Sequence, residues 1–235
     1  MKDRDLQAPV TIFAGRFGSG KTEAALNYAL SFAHSSGSDR GAATSKVTLI
    51  DLDIVTPYFR SREMADAMQE QGVKIIAPAA VSQHLDTPGI TPQILGAIQQ
   101  MDVPLVLDVG GDRQGARALG QFSLALTQRG YTMHFVVNPF RPYTGSVDGL
   151  STSVSEIEAS SRLRVNSLIS NPNLIGETTI EDILEGHAKI EDYARTLGLP
   201  IAFVCIERRW LDLLDSGDFE QPILVLDRYF VMPWE

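Results

Sequence analysis

Residues Gly15 to Thr22 read G-R-F-G-S-G-K-T, matching the pattern G-x-x-x-x-G-K-[ST]. Glycines in such a run let the backbone curl until several N–H groups point at one anion, and a helix starting there adds its partial positive charge. In that arrangement Lys21 reaches the β- and γ-phosphates of a nucleotide and the Thr22 hydroxyl ligates Mg²⁺. The motif needs a strand before it and a helix after it. The apolar run Val10-Thr11-Ile12-Phe13 precedes it, and Thr22 to Ala33 carry helix formers at helical spacing. Gly15, Arg16, Phe17, Gly18, Ser19, Gly20, Lys21 and Thr22 are therefore the expected phosphate cradle.

Such a loop needs carboxylates. Val103 to Asp108 form an apolar run that ends in an acid, and Asp108-Val109-Gly110-Gly111 matches D-x-x-G. An acid at the tip of a buried strand beside a phosphate loop contacts Mg²⁺ directly or through water, and the glycines allow a backbone N–H close to the γ-phosphate. The competing reading is a strand-ending turn. A second run ends Ile50-Asp51-Leu52-Asp53. Acids two residues apart share one face of an extended chain, so Asp51 and Asp53 are expected to face one nucleotide and to hold a metal-bound water and orient the attacking water. They could instead cap the following turn. Thr56 to Glu63 follow as a candidate switch segment or simply a helix start.

The elements that must position these groups alternate along the chain. Strands are expected at Val10–Phe13, Lys46–Asp51, Val73–Ala77, Val103–Asp108, Tyr131–Val137, Val165–Ser170, Ile201–Ile206 and Ile223–Leu226. Helices are expected at Thr22–Ala33, Arg60–Gln71, Pro92–Gln100, Ala116–Arg129, Val147–Ser160 and Thr179–Leu197. Mostly apolar strands imply a sheet covered on both faces. The expectation is one α/β domain over residues 1–235, a doubly wound, mostly parallel sheet of seven to eight strands, with a tail at 1–9 and a flexible loop at 35–45.

Composition narrows the rest. In 235 residues the hydrophobic fraction is 44%, the charged fraction 21% and the formal net charge −9. An acidic chain with no long basic run is a poor match for nucleic acid or an acidic membrane surface. Arg60 and Arg62, Arg162 and Arg164, and Arg208 and Arg209 read as solvated surface. The single cysteine, Cys205, excludes an internal disulfide or a Cys-x-x-Cys site and reads as a core residue. No apolar stretch is long enough to span a membrane, no membrane anchor is visible, and the cytoplasm is the expected compartment.

The order of phosphate loop, D-x-D after the second strand and D-x-x-G after a later one resembles the MinD/ParA/Mrp/CobQ group of P-loop ATPases, from Val10 to about Asn173. The group also contains nitrogenase iron protein and dethiobiotin synthetase. The resemblance implies ATP and Mg²⁺ as ligands, the D-x-x-G strand beside the phosphate-loop strand, hydrolysis coupled to a nucleotide-dependent homodimer, Asp51 near the Mg²⁺ shell and Asp53 positioning the lytic water. Three positions depart from the group. Arg16 stands where a lysine usually reaches the partner's nucleotide; it keeps the charge and could act in trans, contact phosphate in cis, or be a surface residue. Phe17 replaces a glycine and could obstruct a close dimer. Glu23 follows Thr22 where a second threonine is common.

No N-K-x-D pattern for guanine is present, so adenine is expected. In families similar to this one an asparagine after the sixth strand contacts the base, which points to Asn171, with Asn173 second; Asn-Pro-Asn is also a turn. The loop Pro78 to Gly89, with His84 and Asp86, is where similar proteins bind small substrates. Three functions stand open: an ATPase acting on a protein partner, an ATP-dependent small-molecule kinase or ligase, and a nucleotide-sensing module without turnover.

Overall fold

Val10–Ala14 is buried at all five positions, as a central parallel strand must be when helices cover both faces. The computed structural model describes residues 10–35, 46–52, 62–77, 92–215 and 217–229. The strands are β1 (Val10–Ala14), β2 (Val47–Leu52), β3 (Val73–Ile76), β4 (Leu105–Val109), β5 (Thr132–Val137), β6 (Ser167–Ser170), β7 (Ile201–Glu207) and β8 (Ile223–Leu226). The helices are α1 (Lys21–Ser35), α2 (Arg62–Glu70), α3 (Pro92–Gln99), α4 (Arg113–Gln121), α5 (Ser123–Arg129), α6 (Val147–Ser161) and α7 (Ile180–Leu197).

The strands form one sheet in the order β3-β2-β4-β1-β5-β6-β7-β8, and every pairing is parallel. The expected doubly wound α/β architecture is present, with the D-x-x-G strand β4 next to β1. From β1 the chain first builds toward β3 and later toward β8. The direction of winding therefore reverses between β1 and β5, the place where open α/β sheets bind ligands beyond their strand C-termini.

Period-two alternation divides the core. Ile12, Leu107, Ile50 and Phe135 join the cluster packed under α3 to α7. Phe13, Val106, Leu49 and Val136 join the cluster under α1 and α2. Asp51 and Asp108 follow Leu49 and Val106 by two, so both face the α1 side. Cys205 is buried in that same cluster, and burial pushes its thiol pKa up.

One expected helix is broken. Ala116–Arg129 is two helices, α4 and α5, parted at Phe122, whose amide bonds Leu119 O at 3.0 Å in a tighter turn. Gly120 lies against α6 so closely that a Cβ would stand 2.8 Å from Ser160 O. Its carbonyl is taken by the Arg162 guanidinium. That diverts an acceptor the continuous helix would need and turns Phe122 into the core. Arg162 is exposed, as its sequence context implied, and its guanidinium also braces this turn.

Candidate functional site

The phosphate loop leaves β1 and enters α1 within a few residues, and its shape depends on glycine. Gly18 and Gly20 have φ of 76° and 82°, the left-handed region where a Cβ is strained. A Cβ on Gly20 would lie 2.2 Å from Asn171 Nδ2, and one on Gly18 would lie 2.9 Å from Arg141 Nε. Ser19 N bonds Arg16 O at 3.0 Å, closing the turn. Lys21 and Thr22 open α1, and Lys21 is 6% exposed. A lysine so buried at a helix N-terminus matches an anion site, where N–H groups and the ammonium converge on one charge.

The loop is braced from three sides. Asn171, at the exit of β6, donates Nδ2 to Ser19 O at 2.7 Å. Arg141 Nε donates to Gly18 O at 3.2 Å. From the β4 side, Gly111 packs so tightly that a Cβ there would stand 2.2 Å from Gly15 O. The second glycine of D-V-G-G is therefore required by its packing against the Gly15–Arg16 backbone. Asn138, at the β5 exit, donates Nδ2 to Asn173 O at 2.7 Å and accepts from Phe140 N at 3.1 Å.

Asp51 and Asp108 are register partners on β2 and β4 and are 1% and 0% exposed. Together with the Thr22 hydroxyl they are the oxygen donors that suit Mg²⁺, which takes one or two carboxylates and completes its shell from phosphate, hydroxyl and water. Among the described residues no cluster of three or more His, Cys, Asp or Glu exists, and that kind of Mg²⁺ site does not require one. Asp53 lies outside the described residues, as do Thr56 to Ser61 and the loop bearing His84 and Asp86.

Arg16 is turned onto α6. Its Nε donates to Ser153 Oγ at 2.9 Å, its terminal nitrogen bonds Glu156, and its guanidinium stands 5.3 Å over the Tyr143 ring. Arg16 holds the Glu156 carboxyl below the usual carboxylate range, and Arg113 at 3.4 Å adds to this. Arg16 is thus a bound residue of this protomer, not a free surface arginine. Phe17 is 69% exposed and lines the mouth of the cleft. Glu23 accepts from Tyr229 N, tying the chain beyond β8 to the first turn of α1. Asn27 adds a reciprocal pair with the Asp227 backbone, both bonds 2.9 Å.

The cleft runs from the loop over the exits of β5 to β8. Its lining includes Gly20, Lys21, Asn171, Asn173, Glu207 and Arg228. Arg141 and Glu207 were not among the candidates read from the sequence. Arg141 sits in a Pro-rich turn, and Glu207 closes an apolar strand as an isolated acid; neither carries a local pattern.

No protein-family model matches the chain. No curated protein sequence matches it either. Solved structures do. The chain superposes on chloroplast FtsY from Physcomitrella patens with a TM-score of 0.51 and 16% identity, covering 83% of this chain and 57% of that one. On the signal recognition particle receptor FtsY from Elizabethkingia anophelis the TM-score is 0.53 at 16% identity, covering 90% and 63%. The shared fold is an α/β one, a parallel sheet covered by helices on both faces. At 16% identity the likeness is one of architecture, and the chain spans less than two thirds of the length of either structure. Among the described residues no helix is long and apolar enough to cross a membrane.

Proposed function

We propose that this protein is a Mg²⁺-dependent nucleoside triphosphatase of the MinD/ParA type that hydrolyses ATP and couples its nucleotide state to a protein partner. The observation that carries this reading is the glycine-shaped loop running into Lys21 and Thr22 from β1, with the register-paired Asp108 and Asp51 on the next strands, β4 and β2.

In this reading the backbone N–H groups of the loop and Lys21 hold the β- and γ-phosphates. Thr22, Asp51 and Asp108 would hold Mg²⁺, whose charge would offset that growing on the phosphate oxygens. Asp53 orients a water for in-line attack on the γ-phosphorus; the bond from that phosphorus to the bridging oxygen breaks, and the water's proton passes to the released phosphate, leaving ADP and inorganic phosphate. Arg16 is anchored to Glu156 in the single protomer, so a role in trans requires it to leave that carboxylate when two copies meet.

The test is Mg·ATP turnover by purified protein as a function of protein concentration. A specific rate that rises with concentration supports a nucleotide-dependent homodimer. A constant rate confines catalysis to one protomer. Absence of ATP binding removes the reading altogether. Asp53→Ala is expected to retain binding and lose turnover; turnover that persists excludes Asp53 as the water-positioning group.

A further inference from the structure

We propose that Glu207 is the specificity-determining residue of the cleft, its carboxylate accepting a hydrogen bond from the 6-amino group of adenine. This rests on the nucleotide-binding reading above and adds a residue to it.

The direction of the cleft comes first. Going from β1 toward β4 and β2 leads to Asp108 and Asp51, the end suited to metal and γ-phosphate. A nucleotide with its phosphates in the loop must therefore extend its nucleoside the other way, over the exits of β6, β7 and β8. There the lining residues are Asn171, Asn173, Ile175, Glu207, Leu226 and Arg228.

Hydrogen-bonding capacity then separates the polar groups. The Asn171 amide nitrogen already donates to Ser19 O. Asn173 Oδ1 accepts from Ile175 N at 2.6 Å, and its Nδ2 donates to Glu207 Oε1 at 3.1 Å. Glu207 Oε2 pairs with Arg209 Nε at 2.8 Å. An ionised carboxylate offers about four lone-pair sites, so Glu207 keeps acceptor capacity. It is also immobilised, with its side chain 8% exposed. Asn173 Nδ2 keeps one N–H beside it. The cleft therefore presents an acceptor and a donor side by side, the complement of adenine's 6-amino group and N1. A 6-oxo group in the place of that amine would meet the carboxylate with lone pairs.

The turn that supports this pair is strained in a way that serves the cleft. Ile175 has φ of 62°, a conformation a β-branched side chain rarely adopts. Four bonds hold it: its N–H donates to Asn173, and its carbonyl accepts from Thr178 Oγ1 at 2.9 Å, Thr178 N at 3.4 Å and an Arg209 terminal nitrogen at 3.1 Å. Arg209 thereby ties the β6 exit to Glu207. The strained turn places Ile175 in the cleft wall, and with Leu226 and Phe17 it supplies the apolar lining a flat ring needs.

The experiment measures dissociation constants of Mg·ATP, Mg·GTP and the Mg²⁺ complex of purine riboside triphosphate, which lacks the 6-amino group, for the full chain and for Glu207→Ala. The native protein should bind ATP about tenfold more tightly than the amine-free analogue, the effect of one hydrogen bond to a charged group. In Glu207→Ala that ratio should fall to about one while binding of the analogue is retained. Glu207→Gln, which keeps the volume, should lower the ratio as well and serves if the alanine variant does not fold. A native ratio near one, a ratio unchanged in folded variants, or GTP bound more tightly than ATP overturns the assignment. Failure of all three nucleotides to bind removes the phosphate-site reading together with it; equal binding of all three removes only Glu207.

Discussion

At the loop end of the cleft, eight consecutive residues supply the proposed phosphate cradle, and the first turn of α1 carries the lysine and the threonine. At the other end Asn173, Glu207 and Leu226 come from three separate strand exits and meet only because β6, β7 and β8 are neighbours. The first end is local and depends on backbone conformation, with two glycines in the left-handed region. The second is non-local and depends on side chains held by one another. Damage to the first should strike every nucleotide alike. Damage to the second should change which nucleotide is preferred.

Lys21→Ala should break the local end outright. Loss of a buried, converging ammonium is expected to weaken binding of every nucleoside triphosphate by more than about 100-fold. Titration with ATP and GTP in parallel checks this, and unchanged affinity excludes the loop as the phosphate site.

Gly111→Ala reaches the loop from the β4 side, since its Cβ would stand 2.2 Å from Gly15 O. The backbone cannot yield cheaply there, so a stability loss of about 1–3 kcal/mol is expected, together with weaker nucleotide binding. Chemical denaturation alongside a binding assay separates the two. A variant as stable and as tight as the native protein would show that the two loops are not in contact.

The sheet between the two ends carries a pH dependence of its own. His134 sits among Phe13 and Phe203, with its Nδ1 2.6 Å from Ser167 Oγ. Burial lowers its pKa from 6.5 to about 4. The unfolded chain therefore binds a proton below pH 6.5 that the folded chain refuses, and stability falls as pH drops from 6.5 to about 4. One such group contributes a slope near 1.4 kcal/mol per pH unit. Urea midpoints at several pH values should show this slope in the native protein and a flatter one in His134→Phe. Equal slopes would mean that His134 is protonated in place.

Asn171→Ala sharpens the contrast most finely, because Asn171 stands between the two ends. Its Nδ2 donates to Ser19 O at 2.7 Å, a contact with the loop. A uniform weakening of about three- to tenfold for ATP, GTP and the amine-free analogue is expected from one lost hydrogen bond. A change confined to ATP would instead make Asn171 the base reader that the asparagine motif suggested.

That asparagine shows where sequence reading stops. Its position at a strand exit was legible from Val165 to Asn173, but a side-chain amide has two possible targets, and the choice is made by a loop about 150 residues away. The same holds for Arg16. The run G-R-F-G identifies it as a loop cation, while its commitment to Glu156 depends on how α6 packs. Arg208 and Arg209 are exposed, as read from the sequence, but their partners, Asp227 at 2.6 and 2.7 Å and Glu207 at 2.8 Å, follow only from the fold. The break at Phe122 was invisible because Ala116 to Arg129 has unbroken helical character, and only the close approach of Gly120 to α6 ends the first helix.

By itself the sequence determined whatever depends on neighbours along the chain: the alternation of apolar strands and amphipathic helices, the phosphate loop with its glycines, and the acids at the ends of β2 and β4. These follow from backbone sterics and side-chain periodicity, which act over a few residues. The tertiary structure alone decided the strand order that sets Asp51 opposite Asp108, the braces on the loop from Asn171, Arg141 and Gly111, and the meeting of Asn173 with Glu207. Those contacts join residues far apart in the chain, and hydrogen bonds and close packing form only after the sheet has brought their strand ends side by side.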